Sequence, residues 1–76
     1  MAVAFGGVLR DARKAAGLSQ EKLALDAGLE RIYISLLERG ERSPSLAVVL
    51  QLARTLNVSA AQLVAEVERK TARKRS

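Results

Sequence analysis

The segment that decides the fold runs from Gln20 to Arg39 and has the sequence QEKLALDAGLERIYISLLER. Two short helical patterns are separated by Gly28, a residue that tolerates the positive φ of a tight turn. The first pattern contains a small residue, Ala24, where a second helix can cross closely at a steep angle. Apolar residues occupy the inward positions on both sides of the turn: Leu23, Ala27, Leu29, Ile34 and Leu37. This joint match predicts a helix-turn-helix, and the alternative is an ordinary helical hairpin in a small bundle.

Helical patterns also flank this segment. Residues 5–16 carry apolar side chains at the three- and four-residue spacings of one helix face, and Gly17 follows as a left-handed cap. Ser45 can cap a fourth helix that ends at Asn57, and Ser59–Gln62 has the spacing of a capping box that opens a fifth. No alternating run of β-branched residues competes with these patterns. The sequence therefore predicts an all-α fold, a compact five-helix domain.

The composition excludes several kinds of chemistry. The chain has 76 residues, the size of one domain, and it contains no cysteine and no histidine. Disulfides, thiolate metal sites and the commonest general base are therefore ruled out. No apolar stretch reaches the roughly 20 residues of a membrane span, and the N-terminus lacks the basic residues of a secretory signal. We expect a cytoplasmic protein that is not an enzyme and has no metal, cofactor or small-molecule ligand.

The positive charge is concentrated at the end of the chain. Lys and Arg number 13 against 8 Asp and Glu, which gives a net charge of +5. Five basic residues fall within the last eight positions, namely Arg69, Lys70, Arg73, Lys74 and Arg75. We therefore divide the chain into a folded domain, residues 1–68, with no net charge, and a basic, disordered tail, residues 69–76. The tail suits a phosphate-binding arm, and the alternative is a solvated charged end.

The last two helices carry more apolar residues than one core needs. The inward stripe of the fourth helix is expected to contain Leu46, Val49, Leu52 and Leu56. Val48 and Leu50 lie off that stripe, and with Val64 and Val67 of the fifth helix they can form a self-complementary patch. Such a contact would stabilise a chain this small, which favours a homodimer. The alternative is a set of scattered exposed aliphatic side chains, which are common on protein surfaces.

Several motifs occur in a fixed order along residues 5–67. They are Phe5-Gly6, Leu9-Arg10, Gly17-Leu18-Ser19-Gln20-Glu21-Lys22-Leu23-Ala24, Ala27-Gly28-Leu29, Tyr33-Ile34-Ser35, Leu37-Glu38-Arg39-Gly40, Pro44-Ser45-Leu46 and Leu52-Ala53. In order and spacing they resemble the phage-repressor (Cro/XRE) family of helix-turn-helix proteins. The resemblance implies a lambda-repressor-like fold whose third helix, about Glu30–Arg39, lies in the major groove of double-stranded DNA.

The same resemblance implies a structural ion pair. Arg13 and Glu38 occupy the positions where similar proteins join the first and third helices by a buried pair of charges. Each residue follows an inward-facing one by four positions, Leu9 in the first helix and Ile34 in the third. This spacing is compatible with the pair, and the alternative is two unrelated surface charges.

The resemblance also implies contacts to DNA bases and phosphates. It places base contacts at Arg31, Ile32 and Leu36, and the helical rotation of about 100° per residue adds Ser35 to the same outward face. It implies a phosphate contact at Gln20. The other candidates for phosphate contact are Arg10, Tyr33, Arg39, Arg42 and Ser43; their alternative is a set of solvated surface groups and, for Tyr33, partial burial. Arg31 suits a guanine edge. Ile32 and Leu36 are apolar where similar proteins more often have polar side chains, so they either contact thymine methyl groups or mark a surface used for protein contact. Gln20 begins a helix whose N-terminus attracts anions; its alternative is a first-turn residue with no partner.

Two function classes follow from these residues. The first is a homodimeric, sequence-specific regulator of transcription, associated with the nucleoid and bound to a palindromic operator; Gln20 and Arg31 favour it. The second is a protein-interaction module with the same fold, such as an antitoxin partner. The apolar Ile32 and Leu36 and the neutral charge of residues 1–68 favour the second class.

Overall fold

The computed structural model describes residues 1–72, and within that range it contains five α-helices and no strand. The helices are α1 (Ala2–Ala15), α2 (Gln20–Ala27), α3 (Arg31–Glu38), α4 (Leu46–Leu56) and α5 (Ala60–Ala72). The prediction of an all-α fold with five helices is confirmed. The third helix is shorter by one residue at each end than expected, because Glu30 and Arg39 are its cap residues.

The first four helices end in the same way, at a residue with positive φ. These residues are Gly17, Gly28, Gly40 and Asn57, with φ between 59° and 74°. After each of them the chain makes the pair of backbone hydrogen bonds typical of a Schellman motif. After α2, for example, the amide of Leu29 donates to the carbonyl of Ala24 at 2.8 Å. Local sequence therefore sets where each helix stops, and the short loops follow from these stops.

Serine side chains begin α2, α4 and α5. Ser19 Oγ accepts from the amide of Lys22 at 3.0 Å, and Ser45 Oγ accepts from the amide of Val48 at 3.1 Å. Ser59 Oγ accepts from the first amides of α5 in the same manner. These bonds satisfy amides that have no partner within the helix.

A single core joins the helices. Its fully buried large side chains are Leu9, Leu23, Ile34, Leu37 and Leu52, which come from α1, α2, α3 and α4. The helix α1 packs against both α3 and α5, while α2 packs against α3 and α4. As a result α3 is held on one side by α1 and on the other by α2.

The boundary of the domain differs from the sequence-based one. The helix α5 continues through Ala72 instead of ending at residue 68. Two contacts lie within this extension: Arg69 Nη2 lies 2.6 Å from Glu66 Oε1, and Thr71 Oγ1 donates to the carbonyl of Val67 at 2.9 Å. Residues 69–72 are thus helical and not a disordered tail. The expectation for residues 73–76 lies outside the described residues.

Two apolar residues occupy positions opposite to those expected. Leu46, assigned to the inward stripe of α4, is 71% exposed because it begins the helix, one turn before the first core residue of α4, Val49. Val67, assigned to an outer patch, is only 6% exposed. It follows the buried Leu63 by four residues and so lies on the face of α5 that packs into the core.

Within residues 1–72 no single helix is long and apolar enough to cross a membrane. The helices α4 and α5 reach the required length and composition only as a pair, and they are bent by 114° relative to each other. In the same part of the chain no three Asp or Glu side chains are grouped so that they could hold a metal ion.

Candidate nucleic-acid interface

The turn between α2 and α3 is fixed by local bonds and by α4. Gly28 adopts φ 71° and ψ 30°, the left-handed conformation that ends α2. Ala24 is 3% exposed, so the small side chain expected at the helix crossing is buried there. The side-chain amide of Gln51, on α4, donates to the carbonyl of Ala27 at the end of α2. Sequence reasoning missed Gln51, because a polar residue outside the apolar stripe gives no signal of such a long-range contact.

The structure brings Arg13 and Glu38 together as an ion pair. Arg13 Nε lies 2.6 Å from Glu38 Oε2, and Arg13 Nη2 lies 3.1 Å from Glu38 Oε1. The third nitrogen, Nη1, donates to the carbonyl of Leu18 at 2.8 Å. The two side chains are 11% and 4% exposed. Hydrogen bonding to Glu38 raises the pKa of Arg13 above its ordinary value, although burial acts in the opposite direction. The pair therefore fixes the last turn of α3 to α1.

Gln20 extends this pair to the second helix. Its Nε2 atom donates to Glu38 Oε1 at 3.0 Å, so the Glu38 carboxylate accepts hydrogen bonds from both α1 and α2. Sequence reasoning placed Gln20 at the start of α2 but missed this bond. An amide nitrogen carries two hydrogens, and the second one is still available to an outside acceptor. Gln20 can thus hold α3 and bind an anion at the same time.

The exposed face of α3 is concentrated at its N-terminal end. Arg31 and Ile32 begin the helix and are exposed, Ile32 by 62%. Ile34 is completely buried, as expected. Ser35 and Leu36 are half-buried. The face that was predicted to point outward is therefore fully exposed at Arg31 and Ile32 and partly exposed at Ser35 and Leu36.

A polar depression lies beside this face. Its lining residues come from α1, the start of α2 and the C-terminal end of α3: Arg10, Arg13, Gln20, Ser35, Glu38 and Arg39. The Arg39 side chain folds across the end of α3, where Nη1 donates to Ser35 Oγ at 2.6 Å and Nε donates to Glu41 Oε2 at 2.9 Å. Three of the expected phosphate contacts, Arg10, Gln20 and Arg39, are therefore brought together.

The other three expected phosphate contacts lie elsewhere. Tyr33 is half-buried and packs against the core, while Arg42 and Ser43 are exposed in the loop that follows α3. None of them lines the polar depression. Arg42 and Ser43 follow the C-terminal end of α3 in sequence, at the positions where the chain leaves the helix.

The residues assigned to a dimer patch do not form one exposed set. Leu50 is 48% exposed and Val64 is 46% exposed, whereas Val48 is half-buried against the core. Val67 belongs to the core. Leu46, which was not assigned to the patch, is exposed. It lines an apolar groove between α4 and α5 together with Val64. The exposed apolar surface of these two helices therefore centres on Leu46, Leu50 and Val64.

The crossing of α2 and α3 around a left-handed glycine, fixed by a buried ion pair, defines a helix-turn-helix domain. The model of the HTH_3 family, described as helix-turn-helix, matches residues 9–63. The chain belongs to this family, and the resemblance to Cro/XRE proteins is confirmed.

Similar proteins of known class span most of the chain. The HTH-type transcriptional regulator y4dJ of Sinorhizobium fredii is 40% identical over 52 residues, 68% of each chain. The control protein C.SmaI of Serratia marcescens is 43% identical over 56 residues, which are 74% of this chain and 67% of that protein. Among solved structures, the restriction-modification controller protein C.AhdI of Aeromonas hydrophila has a TM-score of 0.79 at 47% identity. The match covers 82% of this chain and 94% of the C.AhdI chain. The clp gene regulator ClgR of C. glutamicum has a TM-score of 0.86 at 28% identity, over 91% and 90% of the two chains. These relatives are regulators and controller proteins, and the family is not one of enzymes.

Proposed function

We propose that the protein is a homodimeric regulator of transcription that binds double-stranded DNA at a specific sequence. The observation that carries the proposal is the buried network of Arg13, Gln20 and Glu38, which holds α3 at its C-terminal end while Arg31 and Ile32 project at the other. A helix held in this way can enter the major groove without itself being reshaped. The regulators among its relatives support the same class.

Base reading is assigned to the exposed face of α3. The guanidinium of Arg31 can donate to both acceptors of a guanine edge, and Ile32 can contact a thymine methyl group. Ser35 and Leu36 lie one turn further along and are half-buried, so they offer less side-chain surface to the bases. We therefore assign the larger share of specificity to the first turn of α3.

Phosphate binding is assigned to the polar depression. The N-terminus of α2 lies there, and helix N-termini attract anions through their free amides and the helix dipole. Gln20, Arg10 and Arg39 add side-chain donors around the same point. Arg42, Ser43 and the Tyr33 hydroxyl supply flanking contacts. Such contacts fix the register of the protein on DNA without selecting a sequence.

Dimerisation is assigned to the apolar surface of α4 and α5. Leu46, Leu50 and Val64 are each close to half exposed or more, and contiguous apolar surface of this kind is typical of protein–protein contact sites. A two-fold dimer through this surface would separate the two α3 helices by about 34 Å, one turn of DNA, and would require a roughly palindromic operator.

The exposed Ile32 supports a second candidate function, a protein-interaction module that uses α3 as its contact surface. The two candidates differ in one measurement. Selection from random DNA duplexes followed by a mobility-shift assay should yield a palindromic site that the protein binds in preference to unrelated duplexes. Equal retention of all sequences would remove the assignment of sequence-specific binding, and no retention of any duplex would remove DNA binding altogether and leave the second candidate.

A further inference from the structure

The backbone of α1 lies unusually close to the C-terminal end of α3 at Gly6. A Cβ atom at this position would lie 2.5 Å from the carbonyl oxygen of Leu37 and 2.6 Å from that of Glu38. Both neighbours are backbone atoms, so no side chain can rotate away. Gly7 differs completely, because a Cβ there would meet only Lys70 Nζ at 3.6 Å, an ordinary van der Waals distance. Only the first of the two adjacent glycines is needed by the packing of α1 on α3.

A second close contact continues the first. Gly40, directly after α3, lies against Val3, and a Cβ at Gly40 would be 2.8 Å from Val3 Cγ2 and 2.9 Å from Val3 Cα. The first turns of α1 therefore rest on the end of α3 over several residues. Further along the same helix, Arg13 binds Glu38. The helix α1 thus contacts the end of α3 at two places, one by close backbone packing and one by charge.

We propose that Gly6 is a positioning residue for sequence recognition: its missing side chain sets the distance between α1 and α3, and through it the depth at which Arg31 and Ile32 enter the DNA groove. The inference rests on the proposed DNA-binding function. Relieving the 2.5 Å contact to even 3.0 Å requires the backbones to separate by about 0.5 Å, a displacement comparable to the tolerance of a preorganised binding site.

The displacement cannot be absorbed inside α3. Ile34 and Leu37 are completely buried, and interiors packed at this density transmit strain instead of deforming locally. The helix α3 is also only about two turns long and contains neither glycine nor proline, the residues at which helices most often kink. The helix moves as a unit, so a shift at Leu37 reaches Arg31. Bidentate recognition of a base depends on donor–acceptor distances that are defined to a few tenths of an ångström.

The test compares Gly6→Ala with Gly7→Ala in the full chain. Both variants add one methyl group within α1 and gain the same helix propensity, so they differ only in the contact with α3. The measurements are thermal unfolding, the Kd for an operator selected with the unaltered protein, and the Kd for an unrelated duplex. We expect Gly7→Ala to retain both affinities. Gly6→Ala should weaken operator affinity about tenfold, the value of a weakened bidentate contact, with a much smaller change for the unrelated duplex. Partial unfolding alone would lower both affinities by the same factor.

Each outcome bears on the inference. An equal ratio of operator to unrelated affinity in the two variants would overturn it. If Gly6→Ala does not fold in buffer, both variants and the unaltered protein are compared in sucrose or TMAO, which favour the folded state, and the same ratio is measured. A Gly6→Ala variant that remains unfolded there would show that Gly6 is required for the fold itself, which would overturn the positioning role. If the unaltered protein selects no operator, the proposed function fails by itself. In that case the NMR chemical shifts of the backbone amides still test the packing of α1 on α3. The proposal requires that the amides of α3 shift more in Gly6→Ala than in Gly7→Ala.

Discussion

The buried charge network gives a sharp prediction about stability. In an Arg13→Ala variant the Glu38 carboxylate, whose side chain is 4% exposed, would lose two hydrogen bonds from Arg13 and keep only the one from Gln20. The carbonyl of Leu18 would lose a donor as well. Removing one partner of a buried ion pair typically costs 3–5 kcal/mol, and the remaining bond to Glu38 places this case near the lower end, at about 3 kcal/mol. For a domain of this size such a destabilisation corresponds to roughly 12–24 °C in Tm.

The assay is reversible unfolding by heat and by urea, followed by circular dichroism. Arg10→Ala is the matched control, because Arg10 lies on the same helix but is exposed, and we expect it to change stability by less than about 0.5 kcal/mol. A double variant, Arg13→Met with Glu38→Leu, removes both charges together and should cost less than Arg13→Ala alone. If Arg13→Ala and Arg10→Ala unfold at the same temperature, the network does not hold α3 and the reasoning from buried charge is refuted.

Three further predictions concern function. Arg31→Ala should cost about 1–3 kcal/mol in operator binding and relax the preference at one base pair per half-site. The control Arg54→Ala, which removes an exposed charge on α4, should do neither. If Arg31→Ala lowers the affinity equally for all operators with single-base changes, Arg31 is a phosphate contact. Leu50→Glu should turn a dimer into a monomer in sedimentation at tens of micromolar, while Leu25→Glu, at an exposed position of α2, should not; two identical profiles would rule out the α4–α5 interface. Removing residues 73–76, which include three basic side chains, should lower the affinity for all DNA sequences alike. The slope of log K against log salt concentration should become less steep by about 0.9 for each phosphate that is no longer neutralised, and an unchanged slope would mean that these side chains do not contact DNA.

Local sequence predicted the helix ends well, and for a physical reason. The starts of α2, α4 and α5 and the ends of α1 to α4 each depend on one residue and its immediate neighbours: a serine whose oxygen accepts a hydrogen bond from a backbone amide, or a residue that adopts positive φ. Gly28 and Asn57 could be assigned to their ends without any knowledge of the fold. The five-helix architecture follows from these ends, because short loops leave the helices few ways to pack. The pairing of Arg13 with Glu38 was foreseeable from the resemblance to the Cro/XRE family, and the helical spacing from Leu9 and Ile34 is compatible with it.

Contacts between distant segments were not predictable in the same way. Along α5, Val64 and Val67 are both apolar, and only the rotation of the helix against α1 buries one and exposes the other. The bond from Gln51 to Ala27 joins residues 24 positions apart and has no periodic signal. The packing role of Gly6 could not be predicted, because a sequence shows that a side chain is missing but not what approaches the space. The candidate site was therefore predicted as a set of residue types, while its geometry required the folded chain.

The distribution of bonds along α3 separates stability from specificity. At its C-terminal end, Glu38 is bound by two helices and Gly6 holds the backbone close, so substitutions there carry a large cost. At its N-terminal end, Glu30 makes no side-chain cap and Arg31 and Ile32 are exposed. Substitutions at exposed positions usually change stability by less than about 0.5 kcal/mol. The residues proposed to read DNA can therefore change without unfolding the domain, and the same scaffold can carry a different operator preference with α3 held in the same place.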